Sequence, residues 1–233
     1  MKICAVVAHP DDETCCAGTL AKLVKRGHEV TNIIVTCGDK GNPELSPEDT
    51  IKERTGEAKE AARIIGAKLE ILYEKDGEVY DNHETRQKLM EVLKREEPDI
   101  IITHHPADYS PDHNITSQLA FAASLFATLP YSSPSPPLKK LAKIYHMETV
   151  GSFGFLPEIY VDITGTFETK IKAVKAYQSQ IRYMKKWPGA STDLVELSTI
   201  TSRLRGFQCG AAYAEAYVLH KVMSRVKAIE LLT

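Results

Sequence analysis

Four side chains that could share a metal ion stand within five positions near the start of the sequence. They are His9, Asp11, Asp12 and Glu13, and they directly follow the short apolar run Lys2–Ala8. Packing gives no reason to gather three carboxylates beside a buried strand, whereas a divalent cation would offset their mutual repulsion. The segment therefore predicts one part of a metal site, with the remaining ligands elsewhere in the chain.

A second group of possible metal ligands occupies the segment His104–His113, which reads HHPADYSPDH. Its ligand-type side chains are His104, His105, Asp108, Asp112 and His113. Two imidazoles and a carboxylate, with one coordination position left to water, are the ligand set of a hydrolytic zinc site. The two segments together predict such a site, provided that the fold brings them side by side.

The hydrophobic pattern predicts strands that alternate with helices. Strands are expected over Lys2–Ala8, Val30–Thr36, Leu69–Tyr73, Pro98–Thr103, Lys143–Thr149 and Glu158–Ile163. Helices are expected over Asp12–Arg26, from the Ser46 cap to about Ile65, and over Glu84–Arg95, Asn114–Thr128, Glu168–Gln180 and Thr192–Phe207. This order predicts an α/β fold with a Rossmann-like, doubly wound, mostly parallel sheet. The C-terminal half is expected to be an α/β extension of the same single domain, which covers residues 1–233.

The predicted fold also says where the two ligand segments should meet. In a doubly wound sheet the strand order commonly reverses between the first and the fourth strand, and the loops that leave those strands open a crevice. His9–Glu13 leaves the first strand, and His104–His113 leaves the fourth. We therefore expect the two segments to face each other across one cleft.

The motif HPDDE after the first strand and PDH after the fourth resemble those of the LmbE-like deacetylases, which are related to the PIG-L N-acetylglucosaminyl deacetylases. Further segments that look like the family are ERTGEAKEAARIIGA, PEIYVDIT, KAVKAYQSQ and RLRGFQCGAAYAEAY. The resemblance implies a zinc-dependent hydrolase, an enzyme that removes the N-acetyl group from a small amino-sugar conjugate of the N-acetylglucosamine type. Another divalent metal would fit the same ligand types.

The resemblance assigns His9, Asp12 and His113 as metal ligands and Asp11 as the general base on the metal-bound water. Zinc lowers the pKa of such a water from about 16 to around 7. Asp112, next to His113, is expected to orient the imidazole ring of a metal-binding histidine without binding the metal itself.

Three other positions are expected to support the site or contact the substrate. Asp108 is expected to tie the loop in place. Arg54, in ERTGE, matches a position that family members use near the substrate, although a salt-bridged surface arginine is the alternative. Glu13 either contacts a sugar hydroxyl or stabilises the first turn of the helix.

One position departs from the family pattern. Many members carry HPDH, and its first histidine is proposed to stabilise the oxyanion, but Ser110 stands there in this sequence. Ser110 can still donate a hydrogen bond, and His104, His105 and Tyr109 are nearby substitutes. The departure leaves open a second hypothesis, a metal-binding family member with little or no deacetylase activity.

Composition argues against several other classes. The formal net charge is −2, which favours neither nucleic acid nor an anionic membrane as a partner. No apolar run approaches the roughly 18 residues of a membrane span. The turn after the first strand lacks GxGxxG, and its carboxylates would repel a pyrophosphate.

The cysteines and histidines outside the motifs are expected to be structural. Five unpatterned cysteines (4, 15, 16, 37 and 209) are expected to be small reduced core residues of a cytoplasmic protein. His146 is expected to be a core or interface histidine, and His83 and His220 to be surface residues. The resemblance also implies a homo-oligomer, a trimer or a hexamer.

Overall fold

The structure is a computed structural model that describes residues 1–186 and 191–222. Its strands are β1 (Lys2–Val7), β2 (Glu29–Thr36), β3 (Lys68–Glu74), β4 (Ile100–Thr103), β5 (Lys143–Met147), β6 (Ile159–Asp162) and β7 (Ala214–Leu219). Its α-helices are α1 (Ala17–Lys25), α2 (Pro47–Ile65), α3 (His83–Glu96), α4 (Pro111–Phe126), α5 (Phe167–Ala176), α6 (Gln178–Met184) and α7 (Leu194–Cys209).

All seven strands form one sheet, in the order β3-β2-β1-β4-β5-β7-β6. The first five strands in this order run parallel, and β7 runs antiparallel to both of its neighbours. The order reverses between β1 and β4, which lie side by side with Val6 opposite Thr103. This confirms the expected doubly wound, mostly parallel α/β fold.

The two faces of the sheet are covered by different helices. Along β1, Ile3, Ala5 and Val7 face a cluster that includes residues of α1, α2 and α5, while Cys4 and Val6 face residues of α3 and α4. Because successive strand residues point to opposite faces, a strand buried on both sides is apolar throughout. This explains why β1 could be recognised from its short apolar run.

Helix α4 begins earlier than the sequence pattern suggested. It starts at Pro111 with Ser110 as its N-cap, three positions before the expected Asn114. Proline is favoured at the first helical position because its fixed φ suits the helix and it lacks an N–H group. Asp112 and His113 therefore lie in the first turn of a helix, not in the loop to which the sequence pattern assigned them.

Several other expectations are corrected. The segment after β1 is a short 3-10 turn, Asp12–Cys15, that leads into α1, and the helix expected over Glu168–Gln180 is divided into α5 and α6. Strand β7 was not anticipated. No helix among the described residues is long and apolar enough to cross a membrane.

The expectations that all five cysteines are core residues and that His220 is a surface residue are also wrong. Cys209 is exposed and Cys15 is only partly buried, while Cys4, Cys16 and Cys37 are buried as expected. His220 is partly buried rather than on the surface, since its Nδ1 lies 2.9 Å from Nε2 of the buried His146.

Candidate active site

The loops that leave β1 and β4 meet at the carboxyl edge of the sheet, as the reversal of strand order requires. There His9, Asp12 and His113 each offer a ligand atom, and these atoms all lie within 4.8 Å of one another. His9 and Asp12 come from the turn after β1, and His113 from the first turn of α4. Two imidazole nitrogens and a carboxylate oxygen are suitable donors for a divalent metal ion.

Asp12 lies at the centre of this group. Its Oδ2 is 3.3 Å from Nδ1 of His9, and its Oδ1 is 3.2 Å from Nε2 of His113. Oδ2 also accepts a hydrogen bond of 2.7 Å from the backbone N–H of His9. The side chain is therefore held with both oxygens toward the two imidazoles.

The second nitrogen of each imidazole faces another carboxylate. Nε2 of His9 lies 3.0 Å from Oδ2 of Asp112, which also accepts a 2.6 Å hydrogen bond from the backbone N–H of Gly77. Nδ1 of His113 lies 3.2 Å from Oδ1 of Asp108. Carboxylates behind metal-binding histidines orient the rings and increase their basicity. Asp108 and Asp112 occupy the places that this arrangement requires.

The charges around the site favour a cation. Burial opposes a positive charge on His9, but its contacts with Asp112 and Asp12 outweigh burial and raise its pKa to about 10. Burial is likewise outweighed at His113, where the charge of Asp12 and the contact with Asp108 raise the pKa to about 9. A buried site that draws positive charge onto two imidazoles offers the environment that a bound metal ion needs. The donor set and its surroundings thus fit a divalent metal.

Among the described residues, a second trio also offers three ligand atoms that lie within 4.8 Å of one another, namely His104, Asp108 and His113. It uses His113 as well, so it competes with the first trio for that ligand. Nε2 of His104 accepts a 2.9 Å hydrogen bond from the backbone N–H of Ala8, and the residue is 2% exposed. His9, Asp12 and His113 all line a cavity, whereas His104 does not. The first trio is therefore the one that a substrate could reach.

That cavity has a volume of about 340 Å³. Its size lies at the lower end of the range of about 300–1,000 Å³ for small-molecule sites. Side chains from both halves of the chain line it. Of the four possible oxyanion donors, Ser110 and Tyr109 line the cavity, but His104 and His105 do not.

Arg54 holds Asp11 at the edge of the cavity. Its Nη2 donates to Oδ1 of Asp11 over 2.8 Å, and its Nη1 donates to Oδ2 of Asp76 over 3.4 Å. Arg54 is only 3% exposed, so it is a buried, ion-paired residue that also lines the cavity. Gly41 allows the loop between β2 and α2 to pack against the Arg54 side chain, because a Cβ at Gly41 would lie 2.1 Å from Nη1 of Arg54. Asp76 was not among the residues predicted from the sequence.

Asp11 has an unusual backbone and an unusual environment. Its φ is 114°, in a region that residues other than glycine rarely adopt, and such strain is common at functional sites. Burial raises the pKa of Asp11 to about 7, against the opposing effect of the Arg54 charge. A carboxylate with such a pKa can both accept and return a proton near neutral pH.

Glu13 is not placed to contact a substrate. It is completely buried and does not line the cavity, which favours the structural alternative over the contact with a sugar hydroxyl. Its carboxylate accepts a hydrogen bond from the Tyr177 hydroxyl and another from the backbone N–H of Asp11. Glu13 therefore supports the turn that carries Asp11, from within the first turn of the 3-10 segment.

Sequence reasoning missed the far side of the cavity. Glu148, Lys170, Ser202 and Glu215 line it from the loop after β5, from α5, from α7 and from β7. Glu215 lies in the family-like segment RLRGFQCGAAYAEAY, but that resemblance assigned it no role. Its charge inside the apolar run of β7 was a further signal, because a buried glutamate needs partners.

Comparisons with known proteins agree with this geometry. A family model described as PIG-L: GlcNAc-PI de-N-acetylase matches residues 4–124. The diacetylchitobiose deacetylase of Thermococcus kodakarensis is 30% identical over 190 residues, which cover 77% of this chain and 70% of that protein.

Solved structures show the same fold. An N,N'-diacetylchitobiose deacetylase from Pyrococcus horikoshii superposes with a TM-score of 0.82 at 28% identity, over 94% of this chain and 83% of that one. The 4-carboxy-2-hydroxymuconate hydratase of Pseudomonas putida KT2440 superposes with a TM-score of 0.84 at 23% identity, over 100% of both chains. The second likeness concerns the fold alone.

Proposed function

The chain belongs to the PIG-L family of GlcNAc-PI de-N-acetylases, and from this membership we propose that it is a metal-dependent hydrolase that removes the N-acetyl group from a small amino-sugar conjugate. One observation carries the proposal. Asp11 lines the same cavity as the trio His9, Asp12 and His113, and Arg54 holds it there. A site that only stored a metal ion would have no use for an additional carboxylate held at its edge.

The trio would hold the metal ion, for which zinc is our first choice and another divalent ion the alternative. When bound, the ion would polarise the amide carbonyl and acidify a water molecule. Asp108 and Asp112 would keep the imidazole rings oriented toward it and would compensate its positive charge.

Asp11 would act as the general base and then as the general acid. Because Arg54 donates to Oδ1, the Oδ2 atom is free to accept a proton from the attacking water. As the amide C–N bond breaks, Asp11 would return this proton to the leaving amine, so that acetate and a free amino sugar result. Of the four donors considered from the sequence, Ser110 and Tyr109 are the two that line the cavity and would be available to the carbonyl oxygen.

Two further parts of the proposal concern the setting of the enzyme. The five cysteines are unpaired, which supports a reducing, cytoplasmic compartment.

An exposed apolar stripe on α7 supports self-association as a trimer or hexamer; it is formed by Ile200, Leu204 and Phe207. Sedimentation analysis of the purified chain would test the second point, and a monomer would contradict it.

The decisive experiment compares wild-type protein with Asp11→Asn, both loaded with zinc. We expect the wild type to release acetate from N,N'-diacetylchitobiose or N-acetylglucosamine. The variant should keep its metal but lose about 10²- to 10⁴-fold of the rate, which is the usual contribution of a general base. The control is Asp81→Asn, which removes a surface carboxylate paired with Arg86.

Metal content and acetate release must both be measured. Full metal content without acetate release by the wild type, across a panel of N-acetylated amino sugars, would favour the metal-binding protein without catalysis. An Asp11→Asn variant with wild-type activity would refute the assigned general base.

A further inference from the structure

The part of the cavity wall that comes from the second half of the chain has a composition of its own. We call Glu148, Lys170, Ser198, Ser202 and Glu215 the inner wall. All five line the cavity and all are less than 9% exposed. Apolar side chains share this side of the cavity, namely Met184, Leu194 and Leu197. Such a mixture is typical of small-molecule sites, where a few polar groups fix the orientation of the ligand.

The cations of the cavity already have partners. Among the described residues that line it, Arg54 and Lys170 are the only arginine and lysine. Arg54 is paired with Asp11 and Asp76, and Nζ of Lys170 lies 2.7 Å from Oε1 of Glu215. Behind the wall, Arg205 donates to both oxygens of Glu148 over 2.9 Å.

With a divalent metal ion bound, the two charges of the ion and those of Arg54, Lys170 and Arg205 would make five positive charges, all of them matched by carboxylates of the cavity. Five carboxylates line the cavity, those of Asp11, Asp12, Asp76, Glu148 and Glu215. A second carboxylate or a phosphate on the substrate would face these groups without a free cation. Burying an unpaired charge is costly, and a like charge nearby increases the cost.

Uncharged hydroxyls, in contrast, would find hydrogen-bonding groups. The Oγ of Ser202 is buried without any hydrogen-bond partner, and the residue is 1% exposed. Buried polar groups in proteins are normally satisfied, so an unpaired hydroxyl on a residue that lines a cavity is a candidate for contact with a ligand group.

Lys170 has N–H groups left to donate, whereas the acceptor sites of Glu215 are all in use. The Lys170 ammonium carries three N–H groups and uses one on Glu215. The two oxygens of Glu215 accept from Lys170, from the backbone N–H groups of Gly18 and Thr19, and from the Tyr217 hydroxyl. Glu215 therefore fixes Lys170 in place, and Lys170 and Ser202 remain to bind the ligand.

We propose that the inner wall is a hydroxyl-binding subsite, in which Lys170 and Ser202 hold an uncharged sugar or polyol joined to the N-acetylated amino sugar, and that the cavity rejects acidic conjugates. This inference rests on the proposed deacetylase function and specifies its substrate class. The subsite would select the part of the substrate that does not react.

The first test compares two substrates of the zinc-loaded protein. The uncharged one is N,N'-diacetylchitobiose, and the acidic one is N-acetylglucosaminyl malate, with acetate release as the readout for both. We expect kcat/KM to be at least about tenfold higher for the uncharged substrate, because a like charge next to buried carboxylates costs several-fold in affinity or more. Equal or faster turnover of the acidic substrate would overturn the proposal.

The second test measures binding of a ligand that cannot be turned over. The deacetylated disaccharide is titrated into zinc-loaded wild type, Ser202→Ala and Ser124→Ala by calorimetry. Ser124 is the matched control, since its Oγ is also buried and unpartnered but lies on α4 outside the cavity. We expect Ser202→Ala to weaken binding about fivefold, as for the loss of one neutral hydrogen bond, and Ser124→Ala to leave it unchanged.

The outcomes separate this inference from the proposed function. If Ser202→Ala binds like Ser124→Ala while acetate is still released, the subsite is wrong and the deacetylase function stands. If no substrate yields acetate, the proposed function fails, and the calorimetric comparison still decides whether the inner wall binds hydroxyls. Thermal unfolding of both variants checks that neither substitution has disturbed the fold.

Discussion

The two sides of the cavity are built in different ways. On the metal side, His9, Asp11 and Asp12 lie within four positions of one another, and Ser110 and His113 are equally close in sequence. The inner wall instead takes one residue each from the loop after β5, from α5 and from β7, and two from α7. Short motifs therefore build one side, and tertiary packing builds the other.

The two sides also use their charges differently. On the metal side, buried carboxylates face imidazoles and raise their pKa values, so that the site favours an added cation. On the inner wall, the carboxylates already have cationic partners, as in the pair of Lys170 and Glu215. Under the proposed function, the metal side would provide the chemistry, while the inner wall would provide stability and selectivity.

The largest effect is expected on the metal side, from Asp12→Asn. This substitution keeps the shape of the side chain but removes the charge between the imidazoles of His9 and His113. We expect loss of bound metal and a fall in acetate release of about 1,000-fold or more, because metal catalysis supplies several kcal/mol and each 1.36 kcal/mol is tenfold in rate. Elemental analysis and a rate assay measure both quantities.

A chelator provides the matched control for this substitution. Wild-type protein stripped of metal should lose activity to the same extent and regain it when zinc is added back, whereas Asp12→Asn should not respond. Undiminished metal content in the variant would remove Asp12 from the ligand set, and the contrast between the two sides would lose its basis.

The sequence predicted that the loops after β1 and β4 meet, because the determinants of this meeting are local. The choice of His9, Asp12 and His113 as metal ligands came from the family resemblance and stays a prediction. A strand buried on both faces, a motif at its end and the reversal of strand order suffice to bring His9 and His113 together. A Ser-Pro pair correctly predicted the start of α2 at Pro47. The same pair also begins α4 at Pro111, but there it was overlooked.

The inner wall could not be predicted because its determinants are distant in sequence. Glu215 accepts hydrogen bonds from the backbone N–H groups of Gly18 and Thr19, at the start of α1 and 197 and 196 residues away. Its strand, β7, is inserted antiparallel between β5 and β6, and no local pattern specifies such an insertion. Glu13 is a similar case, because its partner Tyr177 is 164 residues away.

The next largest effect concerns the stability provided by the inner wall. Lys170→Met removes the cation from a pair whose side chains are 4% and 3% exposed, and it leaves Glu215 buried with an uncompensated charge. Breaking a buried ion pair in this way typically costs about 3–5 kcal/mol of the free energy of unfolding. Chemical denaturation of the wild type and the variant measures the difference.

Two further variants sharpen this result. Lys68→Met removes a lysine that is 61% exposed and pairs with Glu96 at the surface, and it should change stability little. The double variant Lys170→Met with Glu215→Gln should recover part of the loss, because it removes the unpaired charge. If Lys170→Met were as stable as Lys68→Met, the pair would have no structural role and the proposed division between the two sides would fail.

The smallest effect concerns His146, which lies on β5, two residues before Glu148 of the inner wall. This residue of β5 is 4% exposed, and its Nδ1 lies 2.7 Å from the carbonyl oxygen of His104 on the metal-side loop. Burial, reinforced by the charge of nearby His220, lowers the pKa of His146 to about 4 from its ordinary 6.5, against the opposing hydrogen bond to His104.

The protonation of His146 makes stability depend on pH. Between pH 6.5 and 4 the unfolded chain binds a proton at this position and the folded chain does not, so stability falls as the pH falls through that range and is fully present above it. At 1.36 kcal/mol per pKa unit, the loss amounts to about 3 kcal/mol. His146→Gln, which does not titrate, should therefore lose about 3 kcal/mol less than the wild type between pH 7 and pH 4, measured by denaturation without added metal. His83→Gln, at an exposed position, should follow the wild type. An identical loss of stability in all three proteins would mean that the folded chain protonates His146 as readily as the unfolded chain does. The burial of His146 would then have no effect on the pH dependence of stability.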